Sequence, residues 1–192
     1  MKYNAFIFPL VLCLFSLTVN AKTTHKTGLF QYQSNLSELM GAQSDNADPK
    51  EKLEWELYVP SNYSPDVKPG LLVYISPTSS GKLPEKWQSL MDKYNLIWIA
   101  ANKSGNKINS HKRMTKAVLA TSVASNNHDI DVSRIYVVGF SGGGRMASLA
   151  ASQFPQLFKG AIYNSGVNYW EKTTKKALKQ MKNNRYVFIS GK

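Results

Sequence analysis

Cysteine is almost absent from this chain: Cys13 is the only one among 192 residues. It falls inside an N-terminal apolar stretch, so the 171 residues from Lys22 to Lys192 contain no thiol. That excludes a disulfide framework and a thiolate metal site from this part of the chain. Ionisable partners are also scarce in one place: after residue 141 the chain has no His, no Asp and a single acid, Glu171. There is no internal repeat, no low-complexity tract, no phosphate-binding Walker loop, no zinc-ligand spacing and no dinucleotide fingerprint. These absences argue against nucleotide and metal cofactors, and no cofactor is expected.

What is present begins with a leader-like segment. Lys2 supplies a positive start, Ala5 to Val19 is an apolar run short for a bilayer span, and Val19-Asn20-Ala21 ends on small residues suited to cleavage. Residues 1–21 therefore read as a secretory signal, with a membrane anchor as the alternative. Cys13 follows Leu12 rather than a small residue, which argues against lipid attachment. A secreted or periplasmic location is the expectation. Residues 22–192 are long enough for one domain with a sizeable core, and a monomer is expected. The formal charge of +12 favours anionic surroundings, but no long basic run occurs. Weak contact with an anionic surface is therefore expected, and nucleic acid is not.

Along the chain, Gly28 to Gln33 and Leu53 to Val59 suit strands, the second alternating apolar and polar residues. Residues 34–52 carry loop-forming residues. Leu71 to Ile75 and Leu96 to Ala101 are continuous apolar runs, the pattern of strands buried on both faces. Between them, Pro84 to Tyr94 places Trp87, Leu90, Met91 and Tyr94 at helical spacing. Residues 111–125 read as a helix, Arg134 to Phe140 as a strand and Phe158 to Asn164 as another. Trp170 to Met181 reads as a helix with a lysine-rich face, and Arg185 to Ser190 as a last strand. His25 reads as a surface residue, and Asn168, Tyr169 and Trp170 as a loop lining a pocket or packing on the fold. From residue 70 onward strand and helix alternate, which points to a parallel α/β sheet with helices on both faces.

The stretch that carries chemistry is Gly139-Phe140-Ser141-Gly142-Gly143, a G-x-S-x-G between a strand and a helix of small residues. Glycines give a sharp strand-to-helix turn room, and the serine hydroxyl is thrust into the open. The helix N-terminus then aims free N–H groups at any oxyanion forming there. The simpler alternative is a Gly-rich turn that binds a phosphate or nothing.

Four segments carry a resemblance: 58–65, 129–147, 151–166 and 185–192. They resemble the α/β-hydrolase superfamily, and within it the secreted polyhydroxybutyrate-depolymerase and feruloyl-esterase-like branch. The resemblance implies a serine ester hydrolase acting on small or polymeric esters, with Ser141 as nucleophile. It also implies an oxyanion hole from the N–H of Gly142 and of Thr78 or Ser79, since Pro77 has no N–H. Many relatives carry His-Gly where this chain has Ser76-Pro77. In this fold the acid and the histidine follow the nucleophile. Here neither does, so the expectation is a C-terminally incomplete domain with impaired catalysis. Two other readings stand beside it: recruitment of His111 or His128 as base, although both precede Ser141, and a non-catalytic envelope binding protein with a basic surface. Asp129 and Asp131 are expected to serve turns and caps.

Overall fold

Runs of Val, Ile, Leu and aromatic residues become the strands of a single sheet. The structure is a computed structural model and describes residues 26–40, 51–64, 66–168 and 173–191. The segment read as a secretory signal lies outside the described residues, as do His25, Tyr169, Trp170 and Glu171.

The strands are β1 (Gly28–Asn35), β2 (Lys52–Val59), β3 (Gly70–Ile75), β4 (Leu96–Ala101), β5 (Ile135–Phe140), β6 (Gly160–Asn164) and β7 (Arg185–Ile189). Their order is β1-β2-β4-β3-β5-β6-β7. β1 and β2 form an antiparallel pair, and β2 joins β4 antiparallel. From β4 to β7 every pairing is parallel. The mostly parallel α/β sheet expected from the alternation is what forms.

The helices are α1 (Leu36–Met40), α2 (Glu85–Tyr94), α3 (Ser110–Asn127), α4 (Gly142–Gln153) and α5 (Lys175–Met181). Strand residues alternate between two cores. Leu71, Val73, Ile75, Ile135 and Val137 face the small-residue surfaces of α3 and α4, including Ala117, Ala120, Met146, Ala147 and Ala150. Leu72, Trp98, Ala100 and Val138 face the other way, against Met91 and Trp87 of α2. Helices therefore cover both faces, and strands with continuous apolar runs sit in the middle because both of their faces are buried.

Two elements depart from the sequence reading. Residues 36–40, placed in a loop, form α1. Glu38 accepts the Asn35 N–H at 3.1 Å and the Ser34 hydroxyl at 2.7 Å, satisfying a donor at the helix start. The helix read from Trp170 begins only at Lys175, where the Thr174 hydroxyl accepts the Ala177 N–H at 3.1 Å. Spacing along one helix face set the earlier start; a threonine cap sets the later one.

Candidate active site

β5 delivers the chain to the carboxyl edge of the sheet, and α4 carries it back. The turn between them is one residue, Ser141, at φ 52° and ψ −119°. A non-glycine residue is strained there, and such strain persists only when its surroundings hold it. Two contacts do so. The Ser141 N–H donates to the Asn164 carbonyl at 2.8 Å, and the Ser141 carbonyl accepts the Arg145 N–H at 3.2 Å. Glycine makes the rest of the bend fit. A Cβ on Gly143 would lie 1.8 Å from the Ile75 carbonyl oxygen, and one on Gly139 2.2 Å from the Gly143 oxygen. The Ser141 side chain is half-buried and makes no capping hydrogen bond to α4. The N–H groups of the first turn, Gly142 foremost, have no carbonyl one turn back within the helix.

Across the edge lies residues 76–82, the loop after β3. Its own side chains order it. The Thr78 N–H donates to the Ser76 hydroxyl at 3.1 Å. That commits the Thr78 N–H inside the loop. The loop after β4 braces it: the Lys103 N–H donates to the Ser79 carbonyl at 2.6 Å and the Asn106 N–H to the Pro77 carbonyl at 3.0 Å.

Two residues that the sequence reading did not single out belong to this edge. The Asn106 carboxamide lies against the α-carbon of Gly142, with Oδ1 2.1 Å from where a Cβ would stand. It is therefore a polar group beside the Ser141–Gly142 turn. Arg113, on the first turn of α3, is only 5% exposed. Its Nη2 donates to the Ser76 carbonyl at 2.8 Å and its Nε to the Ser104 carbonyl at 2.9 Å. One guanidinium thus clamps both loops, and burial lowers its pKa from the usual arginine value. Nothing in the local sequence marks either residue, because both act through contacts distant along the chain.

The two histidines fall at opposite ends of α3. His128 caps its C-terminus, with its ring edge-on to Tyr63 at 5.9 Å. At 1.5 Å per residue that is about 25 Å from the first turn, where His111 sits. His128 is thereby excluded as a base for Ser141. His111 lies exposed on the Ser141 edge, where its backbone N–H donates to Asn109. No hydrogen bond joins its ring to Ser141. Asp131 has the cap role expected, whereas Asp129 forms an ion pair. Asp129 pairs with Lys68 at 2.9 Å, and Asp131 accepts the Ser133 hydroxyl and N–H, which hold its carboxyl below the usual range. A cavity of about 460 Å³ lies away from Ser141. It lies at the amino edge, between Thr121, Asn126, Val132 and Lys159.

With this geometry in place, comparison with known proteins defines the class. Residues 100–188 match the family described as the prolyl oligopeptidase family. A thermostable esterase superposes at a TM-score of 0.59 with 17% identity, covering 83% of this chain and 45% of that one. A putative dipeptidyl aminopeptidase IV from Bacteroides ovatus gives 0.56 at 16% identity, covering 73% and 21%. An acetyl xylan esterase from Aspergillus awamori gives 0.51 at 18%, covering 83% and 68%. A search of curated proteins finds no match to this sequence. The chain has the α/β-hydrolase fold. It spans less than half the length of the thermostable esterase.

Proposed function

We propose that this chain is a serine ester hydrolase of the α/β-hydrolase fold, working through an acyl-enzyme on Ser141. The observation that carries the reading is the Ser141 backbone at φ 52° and ψ −119°, between β5 and α4. That bend lifts the hydroxyl above the carboxyl edge, beside the helix N-terminus. In the proposed step Ser141 Oγ attacks the ester carbonyl. The Gly142 and Ser79 N–H groups receive the oxyanion, with Thr78 ordering the loop. The bond from the carbonyl carbon to the leaving alkoxide or phenoxide then breaks, and the proton lost from Ser141 Oγ passes through solvent water to the leaving group or to bulk. No cofactor is needed.

Esters suit the site better than amides. An amine leaves only after protonation by a general acid, which in a triad is the histidine. A phenolate leaves without that help. Among the described residues no imidazole is hydrogen-bonded to Ser141, and with that arrangement turnover is expected to be impaired, orders of magnitude below that of a complete triad. The residue likeness to the polyhydroxybutyrate-depolymerase and feruloyl-esterase-like branch supports carboxylic esters, small or polymeric, as the substrate class. The Met1–Ala21 segment supports secretion or a periplasmic location.

The test is p-nitrophenyl acetate hydrolysis by the purified chain. Slow release of nitrophenol is expected, falling to the buffer rate in Ser141→Ala. Release that is unchanged in Ser141→Ala would remove Ser141 from its role.

A further inference from the structure

The loop after β4, residues 102–109, meets both sides of the oxyanion site proposed at Ser141. On one side it is moulded to the loop after β3. The Lys103 N–H donates to the Ser79 carbonyl and the Asn106 N–H to the Pro77 carbonyl. Between these bonds Gly105 packs on the Thr78–Ser79 peptide, where a Cβ would stand 2.7 Å from the Thr78 carbonyl carbon and 3.0 Å from the Ser79 nitrogen. On the other side the Asn106 carboxamide covers Gly142. A Cβ on Gly142 would meet Asn106 Oδ1 at 2.1 Å, Cγ at 2.6 Å and Nδ2 at 2.8 Å. An oxygen aimed straight at that point would leave the nitrogen far behind it. Distances this similar mean that the carboxamide lies across the turn.

One residue thus joins the two sides, by its backbone to the β3 loop and by its side chain to the head of α4. Among the described residues the Asn106 carboxamide makes no hydrogen bond, so its two N–H groups are not committed within the protein. Its frame is fixed from α3. Buried Arg113 donates to the Ser76 and Ser104 carbonyls, and buried Lys116, about one turn further along, donates to the Lys103 carbonyl at 3.2 Å. An uncommitted amide on a held frame, beside the N-terminus of α4, can stabilise charge as it develops without first reorganising.

We propose that Asn106 is a catalytic residue whose carboxamide is a third donor to the oxyanion formed when Ser141 attacks an ester. The role rests on the Ser141 chemistry proposed above. As Ser141 Oγ bonds to the carbonyl carbon, the carbonyl π pair moves onto its oxygen. Asn106 Nδ2 donates a hydrogen bond to that oxygen and keeps its proton. The pair returns when the bond to the alkoxide or phenoxide breaks, and the serine proton passes through solvent water to the leaving group or to bulk. Oδ1 is the atom nearer to Gly142, and a half-turn of the last side-chain torsion exchanges it with Nδ2, so the donor can take either place.

The experiment follows nitrophenol release in the first turnover of p-nitrophenyl acetate, which reads acylation, in the full chain and its variants. Removing one oxyanion donor slows acyl transfer on the order of 10²–10³-fold. With the Gly142 and Ser79 N–H groups retained, Asn106→Ala should slow acylation at saturating ester at least about tenfold and leave KM nearly unchanged. Asn106→Asp keeps the shape but puts a charged acceptor where the donor stood, and should slow acylation as much or more. Both variants should melt with the native chain by circular dichroism, because the backbone bond from residue 106 to Pro77 survives either change. A native rate in Asn106→Asp, or a loss of rate matched by a loss of melting temperature, would overturn the proposal and assign the side chain to packing. A change confined to KM would overturn it in favour of simple ester binding. If the native chain releases no more nitrophenol than Ser141→Ala, the nucleophile and this role fall together. Release that depends on Ser141 yet is untouched by both Asn106 changes removes this role alone.

Discussion

At the scale of single residues, the account turns on strain and close packing around Ser141. Its backbone angles suit glycine better than serine, and such a conformation costs on the order of 1–3 kcal/mol. Ser141→Gly is therefore expected to raise stability to urea by about 1 kcal/mol while abolishing ester cleavage. A loss of stability would mean that the bend is not strained. Gly143 gives the opposite test. In an ordinary helix Gly→Ala stabilises by up to about 1 kcal/mol. Here the new methyl would meet the Ile75 carbonyl at 1.8 Å, so Gly143→Ala should destabilise by about 3 kcal/mol. The strain at Ser141 was legible in the sequence, because G-x-S-x-G between a strand and a helix has few other solutions. Asn106 and Arg113 were not. A carboxamide against Gly142 and a guanidinium bridging Ser76 and Ser104 arise from loops brought together by the sheet, and no local pattern records that.

At the scale of elements, α2 is tied to β2 by a part-buried pair. The Tyr58 hydroxyl donates to Asp92 at 2.8 Å, and Asp92 also accepts the Ser61 N–H. Burial, then the hydrogen bond to Asp92 and its charge, push the Tyr58 phenol from 10.0 up to about 12. The fold favours the protonated phenol. Its contribution is therefore complete below pH 10 and disappears as the pH climbs to about 12. A shift of this size is worth roughly 2–3 kcal/mol. Urea midpoints measured across this range should fall for the native chain and stay flatter in Tyr58→Phe; parallel curves would remove the pair from the account. Element identity was readable from apolar runs for β2 to β6 and from periodicity for α2 and α3. α1 escaped because five residues give too little period, and only Asn35 with Glu38 three residues on signalled a start. The late start of α5 escaped because the apolar spacing from Trp170 ran past its true cap, Thr174.

At the scale of the whole molecule, β1 and β7 are the two edges of the described sheet. The middle strands are closed over by α2, α3 and α4, whereas among the described residues β7 hydrogen-bonds only to β6. The Arg185 N–H and the Ile189 carbonyl face that strand, so the alternating Tyr186 and Phe188 peptide groups face outward. Opening should therefore begin at this edge. Hydrogen exchange is expected to be fastest there, with the Tyr186 and Phe188 amides exchanging well before those of Val137 and Val138 in β5. Uniform protection across the sheet would contradict this gradient.

The central claim is the proposal that the Ser141 hydroxyl attacks esters at the bend, where among the described residues no imidazole is hydrogen-bonded to it to speed the second, hydrolytic step. Acylation of such a serine should outrun deacylation, so the acyl-enzyme should accumulate. The direct measurement is mass spectrometry of the chain after brief exposure to p-nitrophenyl acetate, followed by peptide mapping. The account predicts one acetyl group on the peptide containing Ser141, absent from Ser141→Ala. Acetyl groups on lysines alone, or an adduct that persists in Ser141→Ala, would contradict it.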